Sequence, residues 1–417
     1  MAAVRIENRA QLIYLLTEAA ELEHNVLCCY LFAKFSMKRD ASEGLTAAQL
    51  AGIKSWRATI GDIVVQEMLH LASACNLLTA VGGAPQVRRP NLPTSPRAYP
   101  PSFKLRLVPF GLDALDQFVF LERPEYFEAS ARPLLSYRES ALPSGSLSDI
   151  FSRERNYETL GELYRGIEDG LKYLAQKLGE ERLFIGRPGA QTADSFFHLP
   201  GLAPVHDLAS ALAALKVIIE QGEGASPAAE NSHYRRFLKV REECRELMAA
   251  DPNFGPARPV LASPYALLPT DLAAGSDVNL IDDPLSVDMC NLFDGCYELL
   301  VQMLGRLFIH AEESEAELGI LAEITVGMMI DAVEALGGAI TLLPAGRAHP
   351  GRNAGPSFRL SRGAGIPTQK ETARFIFHER MAELAAYCQF LQTAPGAPSV
   401  LPRVRTALLG FGEQLAP

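Results

Sequence analysis

Glu67 and His70 stand three residues apart in the run Ile60-Gly-Asp-Ile-Val-Val-Gln-Glu-Met-Leu-His-Leu-Ala. The run has an apolar helical face, so residues three apart lie on one side of it, on neighbouring turns. A carboxylate and an imidazole presented in this way form the Glu-x-x-His element with which four-helix bundles hold pairs of iron or manganese ions. Buried acids and histidines without partners are costly, and a bound metal removes the cost. Other helical stretches supply more candidates in order. Glu23 sits among apolar neighbours, two turns before Tyr30 on the same face. Glu162 lies in Leu160-Gly-Glu-Leu-Tyr-Arg-Gly-Ile, and Glu220 and Glu223 in Val217-Ile-Ile-Glu-Gln-Gly-Glu-Gly. His233 follows in Asn231-Ser-His-Tyr-Arg-Arg-Phe. The candidate ligand set is Glu23, Glu67, His70, Glu162, Glu223 and His233, with Glu220 as the alternative to Glu223. Mixed oxygen and imidazole donors suit iron or manganese. Tyr30 and Asp62 are placed to orient ligands from behind. No residue is singled out as a further catalytic group.

Each candidate also has an ordinary reading. Glu21-Leu-Glu-His24 is a competing Glu-x-x-His. Glu162 can pair with Arg165 on a surface face, and Glu223 can cap a turn. A helical protein whose acids are solvated is therefore the alternative to a dinuclear centre. Acids recurring on apolar stretches of several long helices make the joint pattern stronger than any single motif, and by spacing alone the two readings stand level.

The elements that must carry these residues are helices. Positions 7–37 keep helical spacing, and Thr46 is placed to cap a second helix that runs to Ala80 before Gly82-Gly83-Ala-Pro85. Residues 84–112 are proline-rich and read as a crossover; 112–120 read as a short helix and 121–153 as irregular. Further helices are expected at 157–179, 205–221 and 230–249, the last opened by Ser232 and His233. Residues 250–283, with five prolines, read as a linker or crossover. A second helical block follows at 284–308 and 313–336, closed by Gly337-Gly338, then a Gly/Pro-rich loop at 339–368 and helices at 373–391 and 399–413. No run alternates as a strand would. The expected organisation is a metal-binding bundle over 1–249, a linker over 250–283 and a C-terminal helical region over 284–417.

Composition narrows the function classes. The chain has 417 residues, is 48% hydrophobic and 21% charged, and carries a net charge of -10, which argues against general nucleic-acid binding. No unbroken apolar run reaches membrane-spanning length, so no membrane span is expected. Met1–Asn8 lacks a signal peptide's apolar core. Seven cysteines without repeated spacing do not make a disulfide framework, and the expected location is the cytoplasm. No phosphate-binding glycine loop and no Gly-x-Ser-x-Gly elbow occurs.

Leu16-Thr-Glu-Ala-Ala-Glu-Leu-Glu-His-Asn-Val-Leu-Cys-Cys-Tyr-Leu-Phe-Ala, followed by the run around Glu67 and His70, resembles the ferritin-like domain of the iminophenyl-pyruvate dimer synthase group, which includes large enzymes of violacein and rebeccamycin-type pigment pathways. Gln221-Gly-Glu-Gly and Ser232-His-Tyr-Arg-Arg-Phe are similar to that group as well, so the resemblance covers roughly 5–245. It implies an all-α, ferritin-like four-helix bundle plus an additional helical region, with a di-iron-type site. Glu23 matches the first-helix ligand, Glu67 with His70 the second-helix pair, and Glu162 the third-helix acid. The fourth helix departs from the pattern: Glu223 and His233 are ten residues apart instead of three.

The expected function is a non-haem oxidoreductase with two iron ions, or manganese, acting on a small organic substrate with dioxygen or peroxide. A homo-oligomer is compatible with this reading. The alternative is a metal-free or metal-degenerate bundle that serves as a binding or assembly module.

Overall fold

The computed structural model describes residues 4–94, 99, 104–124, 157–222, 230–266, 278–310, 312–361 and 367–416. Glu223 lies outside them, as does most of the stretch 121–153. Among the described residues the fold is all-α apart from one pair of two-residue parallel strands, β1 (Pro264–Tyr265) and β2 (Asn279–Leu280).

Helix α1 (Arg9–Ser36) starts at Asn8, whose side chain accepts the Gln11 N–H. Its residues are buried almost all round, from Leu12 to Ser36. A helix buried on every side belongs in the middle of a fold, and α1 contacts both the other helices of the first bundle and the second helical block. Helix α2 (Ala47–Ala80) opens with a capping box, Thr46 accepting from Gln49 N and the Gln49 side chain from Thr46 N. At 34 residues it is about 51 Å long. By length and composition α2 is apolar enough to cross a membrane, yet 78% of its most apolar window is buried inside the fold. Packing against α1 accounts for that hydropathy.

The rest of the first bundle comes in short pieces. Helix α3 (Leu112–Leu121) packs on α6 (His233–Ala250), and α4 (Leu160–Leu178) packs on α5 (Leu208–Gln221). Helix α1 contacts α4, while α2 contacts both α5 and α6. Ser232 caps α6 through the Arg235 N–H, as its position predicts. Two helix ends, those of α3 and α5, and one helix start, that of α6, therefore meet the α1–α2 pair part-way along its length.

The second block consists of α7 (Pro284–Ile309), α8 (Glu315–Gly327), a π-helical stretch Met328–Glu334, α9 (Ala335–Ile340), α10 (Lys370–Leu391) and α11 (Leu401–Gln414). Gly337-Gly338 do not stop the helix as expected; it continues to Ile340. Their role is close approach. A Cβ on Gly337 would lie 2.5 Å from the Phe35 ring of α1.

The described part of 250–283 is bonded to both blocks. Arg258 N donates to Ser36 O (2.9 Å), Leu261 N to Asn353 O (2.9 Å) and Ser263 N to Leu107 O (2.8 Å). The buried Arg258 guanidinium meets Glu43 (Nε–Oε2 2.7 Å) and Thr341 Oγ1 (2.9 Å). Phe35 stacks on Phe358, and Phe358 meets Phe293 and Tyr297 edge-on, so one apolar core runs through both blocks.

Candidate metal centre

Glu23 on α1, Glu67 and His70 on α2, Glu122 at the end of α3 and His233 at the start of α6 converge in the interior, each at most 1% exposed. The arrangement has two halves that share Glu67. In one half, His70 Nδ1 lies 3.3 Å from Glu67 Oε2 and 3.6 Å from Glu23 Oε2. In the other, His233 Nδ1 lies 3.0 Å from Glu67 Oε1 and 3.5 Å from Glu122 Oε2. The two imidazoles stack with centroids 5.4 Å apart.

The atoms facing inward are the ones without hydrogen bonds: Glu23 Oε2, both Glu67 oxygens, Glu122 Oε2, His70 Nδ1 and His233 Nδ1. The atoms facing outward are held. Tyr164 OH donates to Glu23 Oε1, and Tyr30 OH donates to Glu122 Oε1. His70 Nε2 is 3.2 Å from Gln221 Oε1, and His233 Nε2 is 3.0 Å from Gln66 Oε1. Each half therefore repeats one scheme: a carboxylate fixed by a tyrosine, an imidazole fixed by a glutamine, and a share of Glu67. Gly222 leaves room for the rings; a Cβ there would sit 3.3 Å from His70 Cε1 and 3.5 Å from His233 Nδ1.

Charge is balanced inside the cluster. Burial pushes Glu23 up to about 7, with the neighbouring Glu67 charge adding to the rise against the lowering effect of His70. Burial alone would favour neutral histidines. The carboxylates outweigh it, raising His70 to about 10 through Glu23 and Glu67, and His233 to about 9 through Glu122 and Glu67. Burial also acts to raise Glu67, yet His233 and His70 together hold it well below the usual range. Glu122 is raised, chiefly by burial. Protons on the imidazoles are thus the cations of this cluster, and a metal bound at Nδ1 would displace them.

The donor chemistry fits a pair of metal ions. Two sets of three ligand atoms, Glu23–Glu67–His70 and Glu67–Glu122–His233, each lie within 4.8 Å of one another. Carboxylate oxygen with imidazole nitrogen suits iron or manganese. An unsatisfied buried polar group costs about 1–3 kcal/mol, and six of them aimed at one point are relieved together by cations.

The structure brings together Glu23, Glu67, His70 and His233, and it places Tyr30 behind Glu122. It does not bring in Glu162. That side chain accepts the Glu158 N–H (2.6 Å) at the start of α4, one turn outside, where helix geometry points it away. The third-helix contribution is Tyr164, two residues on. The Asp62 side chain is 75% exposed, five residues before Glu67 and so well round the helix, and it pairs with Arg236 at 3.4 Å. Glu220 is exposed and faces Lys216. The competing pair Glu21 and His24 is turned away. His24 Nδ1 donates to Val87 O (2.6 Å), and its Nε2 accepts from Tyr297 OH (2.6 Å). Burial, then the Arg89 charge, depresses His24 to about 3, so it is a neutral structural histidine. All seven cysteines are free and buried. Glu122 was missed by sequence reasoning. Its signal was its place directly after the apolar helix Leu112–Leu121, with no histidine at helical spacing to mark it.

The chain is similar to proteins of known name. The chain is 26% identical over 410 residues to dichlorochromopyrrolate synthase of Lentzea aerocolonigenes, covering 91% of this chain and 39% of that enzyme. It is 28% identical over 442 residues to 2-imino-3-(indol-3-yl)propanoate dimerase of Chromobacterium violaceum, covering 98% of this chain and 39% of that enzyme. It thus spans about two fifths of the length of these relatives. A ferritin-like protein from Caulobacter vibrioides superposes with a TM-score of 0.46 at 20% identity, covering 76% of this chain and 96% of that one. The Ferritin-like family model matches residues 16–242, more than half of the sequence, and the chain belongs to that family.

Proposed function

We propose that the chain is a non-haem oxidoreductase that holds two iron ions, with manganese as the variant, and acts with dioxygen or peroxide on a small organic substrate. The observation that carries this reading is the convergence of six buried, unbonded donor atoms on the two sides of Glu67. Glu23, Glu67 and His70 would hold one ion; Glu67, Glu122 and His233 would hold the other. Bound there, the ions supply exchange of electrons with dioxygen or peroxide. The protein supplies the rest. Glu67 spans both positions, Tyr164 and Tyr30 hold one oxygen of each terminal carboxylate, and the apolar packing around α1 and α2 keeps bulk water out. Both curated relatives are named as enzymes of small organic compounds, one as a dimerase of an indolyl imino acid. That supports a small amino-acid-derived substrate over a metal-free assembly module. Free, buried cysteines suit a reducing compartment, and we place the enzyme in the cytoplasm.

Elemental analysis after anaerobic reconstitution with iron(II) tests the reading. The expected result is about two ions per chain, as for other bundles of this kind. Absence of stoichiometric metal from correctly folded protein would overturn it.

A further inference from the structure

The two halves of the cluster differ in what their glutamines bind. Gln66 Oε1, which faces His233 Nε2 at 3.0 Å, also receives Arg236 Nη1 at 2.9 Å. Among the described residues no cation is bound to Gln221, which faces His70 Nε2. We infer that Gln66 and Gln221 are positioning residues that present the two Nδ1 lone pairs to metal, and that Arg236 makes the metal positions unequal, so that the His70 position fills before the His233 position. The inference rests on the dinuclear reading above.

The first step concerns tautomers. An amide oxygen only accepts, so an imidazole nitrogen set against it must carry the hydrogen. The neutral ring then has its lone pair on Nδ1, the atom aimed at the carboxylates. For Gln66 the orientation of the amide is settled by Arg236. A guanidinium has only donors, so the atom it shares with His233 must be the oxygen. Outer partners of this kind orient the ring and tune its basicity.

The second step concerns strength. Gln66 Oε1 divides its acceptor capacity between a cation and His233. The contact to His233 is the shorter, 3.0 Å against 3.2 Å for Gln221 and His70, and the sharing with the cation is inferred to outweigh that difference, so that His233 is the poorer donor. The guanidinium also repels a divalent ion on its side. Its other contacts are Thr59 O at 3.2 Å and Asp62 at 3.4 Å, an acid exposed enough for solvent to screen the pair. Both effects weaken the same position.

Anaerobic titration with cobalt(II) alone, followed by calorimetry and by the visible d–d absorption, tests this. The expected wild-type result is two steps about tenfold or more apart in affinity, the scale of outer-partner effects on metal sites. Glu23→Gln should remove the tight step and Glu122→Gln the weak one. Arg236→Gln should tighten the weak step and close most of the gap, while Arg236→Lys, which keeps the cation, should preserve it. Gln221→Leu should weaken the tight step by about 10–100-fold. Arg236 is half-buried and faces α2, and apo-protein melts report folding of every variant. A gap unchanged in Arg236→Gln, closed equally by both Arg236 variants, or assigned in the reverse order by the glutamate variants overturns the asymmetry. Steps unmoved in Gln221→Leu overturn the positioning role. Two equal ions in the wild type refute only the inequality, whereas no cobalt bound to folded protein refutes the dinuclear reading and this inference with it.

Discussion

The two oxygens of Glu67 serve different histidines: Oε2 lies 3.3 Å from His70 Nδ1 and Oε1 lies 3.0 Å from His233 Nδ1. One carboxylate thus joins a ligand three residues along its own helix to one that enters from a different helix, α6. The terminal acids, Glu23 and Glu122, each serve only one side.

That difference predicts unequal losses. Glu67→Ala should abolish binding of both ions, whereas Glu122→Gln should leave about one ion per chain at the Glu23–Glu67–His70 position, as the shared-ligand geometry implies. Inductively coupled plasma analysis of iron-loaded variants gives the answer. Equal loss in both variants would show that Glu67 does not bridge.

Glu162 should be dispensable for metal. Its carboxylate accepts a backbone N–H at the start of α4. Glu162→Ala should cost roughly 0.5–1 kcal/mol as a lost helix-start contact and leave metal content unchanged. Loss of an ion in this variant would mean that the third-helix acid enters the site after all.

Gly337 permits the contact between the two blocks. Alanine there would bring a Cβ to 2.5 Å from the Phe35 ring. Gly337→Ala should therefore destabilise by about 1–3 kcal/mol through overpacking. Phe35→Leu in the same chain should recover part of the loss, so the double variant should be less destabilised than the sum of the two. Denaturant melts measure this, and simple additivity would count against the steric account.

Asp294 should set a pH dependence. Burial pushes its carboxyl up to about 7, against the lowering effect of the Ser357 hydroxyl, the Arg359 guanidinium and N–H, and the more distant Arg89 guanidinium. Ser357 Oγ lies 2.9 and 2.7 Å from the two oxygens, Arg359 N donates at 3.1 Å, and the nearby Cys290 thiol is itself raised. The folded state therefore holds a proton that the unfolded state has already lost. Stability is greatest below the usual carboxylate range, falls as pH rises towards about 7, and stays lowered above it. A shift of this size corresponds to at most roughly 4 kcal/mol. Asp294→Asn should flatten the melting temperature across this window. Parallel curves for wild type and variant would refute the assignment.

Much of this was legible in the sequence alone. The long helices, the Thr46 cap and the Ser232 start follow from local periodicity and side-chain capping, which involve neighbours within a turn or two. Glu67 and His70 share a face for the same reason, and Glu23 sits among apolar neighbours on α1, beside the further acids Glu18 and Glu21. The remaining members of the centre depend on which helix ends meet. Glu122 closes a short helix, Gln221 ends another and His233 begins a third, and only packing of α3, α5 and α6 on the α1–α2 pair brings those ends to one point. Spacing along the chain carries no record of such meetings, which is why Glu162 looked equivalent to Tyr164 two residues away. The difference is one of direction: on α4 the tyrosine faces the interior, while the acid turns back to its own backbone.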